Sequence, residues 1–177
     1  MFSIYSTAAQ QAYSGPDEFR LYADFLPHIG EFALAFAQLE RWVTWGFESV
    51  SNLTRVQGND WEAQNRKFAT RIGILSSAFA KFDQALSSNP DLQKIISDII
   101  QMNDFRNRLF HDSATGVAIS GNEISIMKKR LQANGQELSW DVSLTELKEA
   151  VAKVLETSVA LHRFVMSICP NAEKRVP

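Results

Sequence analysis

The sequence predicts a mainly all-α protein, an up-and-down bundle of about five helices with a small two- or three-stranded antiparallel β insertion between helices 4 and 5. Three observations predict it. Apolar residues recur at steps of three and four over most of the chain; between about residues 116 and 142 the period drops to two; and Ser, Asn and Pro stand where helix starts are required. The chain has 177 residues, 45% hydrophobic and 21% charged. That is enough for one domain with a sizeable core and short for two, so residues 1–177 read as a single domain.

Asp17 to about Leu26 forms a short first helix after Gly15-Pro16, and Pro27 is expected to end it. The second helix, about His28 to Leu53, carries apolar residues at 29, 32, 36, 39, 43, 47 and 50. Trp42 and Trp45 widen its apolar surface, which suits a central position or contact with a partner chain. The third helix starts at Asn59 or Asp60, with Glu62 placed as in a capping box. Its stripe is Trp61, Phe68, Ile72, Leu75, Phe79, Phe82 and Leu86. Asn89 caps the fourth helix and Pro90 takes its first position; the stripe Leu92, Ile95, Ile99, Met102, Leu109, Phe110 runs to about Asp112. Ser143, with Glu146 three residues on, opens the fifth helix, and Pro170 marks its end. In the insertion, Val117/Ile119 and Ile124/Ile126 alternate around Gly121-Asn122. A second turn, Asn134-Gly135, has the sequence of a two-residue hairpin loop.

Composition narrows the function classes. A formal charge of -2 argues against coating nucleic acid through bulk charge. The lone Cys169 excludes an internal disulfide framework and a CxxC metal site, and fits a reducing cytoplasm. The first nineteen residues lack the basic region and apolar core of a secretory signal. The most apolar stretch, "IGEFALAFAQLERWVTWGFESV", is interrupted by Glu31, Glu40, Arg41 and Glu48, at about 2.5–3.5 kcal/mol for the most costly mid-membrane charges. A buried core helix, with no membrane association and a cytoplasmic location, is the expectation.

The densest polar cluster is "NDFRNRLFHD", Asn103 to Asp112, at the end of the apolar fourth helix. On the second helix the seam Ile29–Phe32–Phe36–Val43–Phe47 has Glu40 in its middle; on the fourth, Leu92–Ile95–Ile99–Met102 continues to Arg106 and Leu109. An acid and a base on apolar seams are costly to bury singly, so a Glu40–Arg106 pair is expected. The alternative is that both snorkel to solvent. Asn107 and His111 are four apart and share a face beside Arg106. His111 near a helix C-terminus meets carbonyls that favour imidazolium. Arg108 and Asp104 point elsewhere, as ordinary surface.

Other polar features read more plainly. Lys128, Lys129 and Arg130 fall on a strand, as an edge guarded against aggregation or as a weaker candidate for RNA-backbone contact. His28 is expected near a helix start and His162 on a helix surface; with no HxxxH or ExxH, neither a metal nor another cofactor is expected. Ser113 beside His111 lacks the elbow and the third residue of a nucleophilic triad. Trp42, Trp45, Phe47 and Trp61, at helical spacing, read as core more readily than as base-stacking platforms.

At "RNRLFH" the chain resembles the HEPN superfamily (higher eukaryotes and prokaryotes nucleotide-binding domains), small helical bundles marked by Arg, a polar residue, and His after a short spacing. Here Arg106, Asn107 and His111 match with four residues between Arg and His. The frame from about Ile29 to Ile168, with "FAQLERWVTW" and "SLTELKEA", resembles small bacterial members. The resemblance implies a metal-independent endoribonuclease acting on RNA as a homodimer with two motifs in one cleft, in toxin–antitoxin or phage defence, with an antitoxin or regulatory protein as a further partner. Arg106 would hold the phosphorane charge, His111 would serve as base or acid, Asn107 would orient either, and Glu40 would steady Arg106 from behind. Other members have lost catalysis, which leaves a nucleotide-, RNA- or protein-binding module as the second reading. The Trp-rich second helix and the motif-bearing fourth are the expected dimer surface.

Overall fold

Two of the expected helix starts are set by their caps. The side chain of Asn89 accepts hydrogen bonds from the backbone N–H groups of Asp91 (3.0 Å) and Leu92 (3.1 Å), with Pro90 as the first helical residue. Ser143 Oγ accepts from Glu146 N–H at 3.0 Å. Each bond satisfies a donor that the first helical turn would otherwise leave open. The computed structural model describes residues 16–51, 57, 61–62, 64–65, 67–120, 123–132 and 134–170. Within them lie α1 (Pro16–Ser51), α2 (Phe68–Phe82), a 3₁₀ turn (Gln84–Ser88) and α3 (Pro90–His111). Strands β1 (Ser113–Ser120), β2 (Glu123–Leu131) and β3 (Glu137–Ser143) follow, then α4 (Leu144–Ile168). The protein is mainly helical, with a small antiparallel sheet between the third and fourth of these α-helices.

The sequence placed two helices where the structure has one. α1 runs unbroken through Pro27. An interior proline removes the N–H that the carbonyl of Ala23 would receive, at a cost of about 3 kcal/mol. The buried phenyl rings of Phe25 and Phe32, on either side, hold the helix across that gap. The expected third helix is interrupted instead. Trp61 and Glu62 are helical, Asn65 is not, and α2 begins only at Phe68. Asn65 turns its side-chain amide onto the carbonyl of Trp61 at 2.9 Å, as its backbone N–H does. The side-chain bond shares that carbonyl with the helical backbone bond, a local arrangement that favours ending a helix. The proposed cap at Asn59 or Asp60 lies outside the described residues. Leu86 is buried, as its stripe requires, from a 3₁₀ turn whose cap, Asp83, accepts from Ala85 N–H.

The sheet has the order β1-β2-β3 among the described residues, all antiparallel. Val117 pairs with Ile126, and Ile126 with Val142; all three are buried, so the period-two pattern faces the core as expected. The second hairpin differs from the two-residue loop read at Asn134-Gly135. Gln132 N–H bonds Gln136 O at 2.8 Å, leaving three residues between. Gly135, at φ 81°, takes the left-handed position that such a loop needs.

The chain divides into two compact units. One takes the residues up to Phe32 together with Arg106–Ala150; the other takes Ala33–Phe105 and the chain from Val151. The first has its core in Phe25, Phe32, Leu109, Val117, Ile126, Val142 and Leu147. The second is built on Phe36, Leu39, Val43, Leu75, Phe79, Ile99, Val154 and Leu161. In the second unit, Trp45 is buried and lies edge-on to Trp42 at 5.2 Å. The ring of His162 packs on both, at 4.8 Å from Trp42 and 5.3 Å from Trp45. The indoles, read as suiting either a central position or a partner chain, are engaged with one another and with His162 within this unit. His162, expected on a surface, is half-buried against them.

Candidate functional site

Arg106, Asn107 and His111 occupy the last two turns of α3. Arg106 and Asn107 are half-buried and His111, the final helical residue, is exposed. Helical geometry puts Asn107 and His111 on one face. Phe110, beside His111, is also exposed and has the ring of Phe32 as a neighbour at 6.3 Å.

The end of this helix is tied to the sheet. Lys128 on β2 is buried, and its Nζ donates to the carbonyl of Leu109 at 2.9 Å. Asp112, the residue after the helix, is buried too. Its two carboxylate oxygens take Nε (2.5 Å) and Nη2 (3.1 Å) of Arg130 in a two-pronged pair. Arg130 also lies over the ring of Trp140, 5.5 Å from its centroid. Burial lowers the pKa of the Lys128 ammonium, partly opposed by the nearby Asp112 charge. The third cation of the run, Lys129, points to the opposite face and pairs with Glu137.

This corrects the reading of "MKKR" as a guarded edge, because β2 is the central strand of the described sheet. The physical reason is local neutralisation: a carbonyl and two carboxylates each take one cation, so the strand can lie inside. Lys128, named as a candidate for RNA contact, is buried with its ammonium engaged. Lys129 and Arg130 keep side-chain exposures of 44% and 45%, each alongside its acid.

Glu40 is corrected as well. Its carboxylate, expected to meet Arg106, lies 3.4 Å from Arg71 Nη2. Arg71 is buried, bonds Glu62 at 2.6 Å through Nη1 and stands over the ring of Phe68 at 5.1 Å. Glu62 in turn accepts from Thr44 Oγ1 at 3.3 Å, which joins Thr44 to this cluster. Sequence reasoning missed Arg71 although the signal was available. It stands three residues after Phe68 and four before Leu75, on the same apolar seam as Ile72. The test that singled out Glu40 and Arg106 applies to it equally.

His28, inside α1 and away from its start, bonds Glu31 at 2.8 Å. Among the described residues no group of three His, Cys, Asp or Glu side chains is placed to hold a metal ion. No helix among them is long and apolar enough to cross a membrane. A shallow groove of about 610 Å³ lies in the second unit between Phe47, Val50, Gly73, Ile74 and Phe82, and includes none of the candidate residues. No known protein family, curated protein or solved structure matches this chain.

Proposed function

We propose that the chain is a metal-independent endoribonuclease of the HEPN type, acting as a homodimer in which two copies of Arg106, Asn107 and His111 form one site. The observation that carries this reading is the gathering of a fixed cation, an amide and an exposed imidazole in the last two turns of one helix. In the reaction, the imidazole of one His111 takes the proton of the ribose 2′-hydroxyl as that oxygen attacks phosphorus. The P–O5′ bond breaks, and the protonated His111 of the second copy gives its proton to the departing 5′-oxygen. The products are a 2′,3′-cyclic phosphate and a 5′-hydroxyl end. Imidazole suits both roles because it titrates near neutral pH. The guanidinium of Arg106 matches the phosphorane oxygens with its planar fork. Toxin–antitoxin or phage-defence settings, with an antitoxin or regulatory partner in the cytoplasm, go with this reading.

The test is incubation with structured and unstructured RNA in EDTA. Cleavage should survive chelation and fall about 10²–10⁴-fold in His111→Ala and Arg106→Ala. Equal inertness of wild type and both variants across several RNAs would remove the enzyme from consideration. A second reading, a non-catalytic HEPN-like module that binds nucleotide, RNA or a protein, is favoured by one observation: the acid expected to steady Arg106 is engaged by Arg71. Under that reading the same variants lose binding of RNA without any cleavage to lose.

A further inference from the structure

We propose that β2 is the positioning element for His111: Lys128 and Arg130 grip the backbone on either side of that residue and hold its imidazole in place. The inference rests on the ribonuclease reading for its consequence in catalysis, but not for its geometry.

A helix ends with four carbonyls that have no partner in the helix, and its last turn ordinarily frays. His111 is the last residue of α3, so an imidazole used from this position would be poorly placed. Here the chain is held two residues before it, where Lys128 Nζ bonds the Leu109 carbonyl, and one residue after it, where Arg130 forks onto Asp112. Lys128 and Arg130 are two apart on one strand, so they project from the same face about 6.6 Å apart. That spacing suits a grip on the short stretch from Leu109 to Asp112.

The two holds are also buried where a merely cosmetic contact would not be. Lys128 is 6% exposed and the Asp112 side chain 1%. A buried ammonium is costly, and an apolar side chain of similar volume would fill the same space at no such cost. What the ammonium adds is a directed bond to one backbone oxygen. Neither Lys128 nor Arg130 is a catalytic residue in this scheme; both act through His111.

The experiment uses the full chain, isotope-labelled, as wild type, Lys128→Met, Arg130→Gln and Arg130→Lys. The NMR order parameter at His111 should be near 0.85 in wild type and below about 0.6 in Lys128→Met and Arg130→Gln. Arg130→Lys, which keeps one charged bond to Asp112, should recover part of the loss. In RNA cleavage the two disruptive variants should lose about 10-fold or more in kcat with KM within twofold, the pattern of a displaced catalytic group. An unchanged order parameter at His111 in both variants would overturn the proposal. Should Lys128→Met fail to fold, Arg130→Gln, at a half-exposed side chain, decides alone. If the order parameter falls as expected while wild type cleaves no RNA, the positioning role stands and the ribonuclease reading does not.

Discussion

Arg71 and Lys128 are both buried cations, in different units, and the chain satisfies them differently. Arg71 meets two carboxylates, Glu62 and Glu40, and the face of a phenyl ring, yet its Nε has no hydrogen-bond partner. Lys128 meets one backbone carbonyl. A cation held by side chains ties those side chains together and stabilises their packing. A cation held by a carbonyl fixes the path of the main chain, and with it the position of whatever residue follows. The first arrangement should register chiefly in stability, the second chiefly in geometry.

The largest effect expected from this contrast is at Arg71. Arg71→Ala leaves Glu40 and Glu62 facing one another without their shared cation and should destabilise by about 3–5 kcal/mol. The urea midpoint should fall with an unchanged slope; a loss under 1 kcal/mol would mean that the two acids reach water unaided. Next is Asp112→Ala. It removes charged hydrogen bonds to Arg130, which is exposed enough to rehydrate, so about 1–2 kcal/mol is expected from the same measurement.

Asp98 gives the mirror of Arg71, one acid between two cations, with Lys94 and Lys153 each at 2.8 Å. Burial would raise its pKa, but the hydrogen bonds from Lys153 and Lys94 outweigh burial and hold the carboxyl below its ordinary value of 3.8. With a depressed folded pKa, its contribution is present above the unfolded value and is lost as pH falls through the folded one. Asp98→Asn should therefore cost about 1 kcal/mol near neutral pH. The difference from wild type should shrink as pH falls below 3.8; a pH-independent difference would remove the ionic explanation.

The smallest stability effect should be at Lys128. Lys128→Met exchanges a hydrogen bond for relief of desolvation, and should lie within about 1 kcal/mol of wild type. Its pH sign is opposite to that of a lysine gaining a partner acid. Because burial lowers the folded pKa below 10.5, the unfolded chain binds more protons in that window, and wild type gains on the variant as pH rises through it. Melting temperatures of the pair from neutral to alkaline pH check the direction.

Much of this fold was legible because its causes are local. Asn89 and Ser143 cap the helices they announce, and the alternation Val117, Ile126, Val142 marks one buried sheet face. Pro27 was misleading because helix ends are read from backbone chemistry alone, while the burial of Phe25 and Phe32 on either side is a tertiary effect. Partner choice was the least legible. Spacing shows that Glu40 sits on a seam, but which cation meets it depends on how helices far apart in sequence come together. Arg71, on an equally apolar seam, is the one that does. The basic strand was misread for a related reason: its neutralising groups, the Leu109 carbonyl and Asp112, are 19 and 18 residues away in sequence from Lys128 and Arg130.

That neutralisation has a consequence for salt. Cations that meet phosphates displace condensed counterions, and each such contact steepens the fall of affinity with ionic strength. Three consecutive positive charges would ordinarily be expected to contribute up to three such contacts. On β2, Lys128 is engaged in the interior, and Lys129 and Arg130 must first leave Glu137 and Asp112 to release any ion from an RNA. Under the proposed ribonuclease reading, the salt slope for RNA should therefore be shallower than this run of basic residues implies.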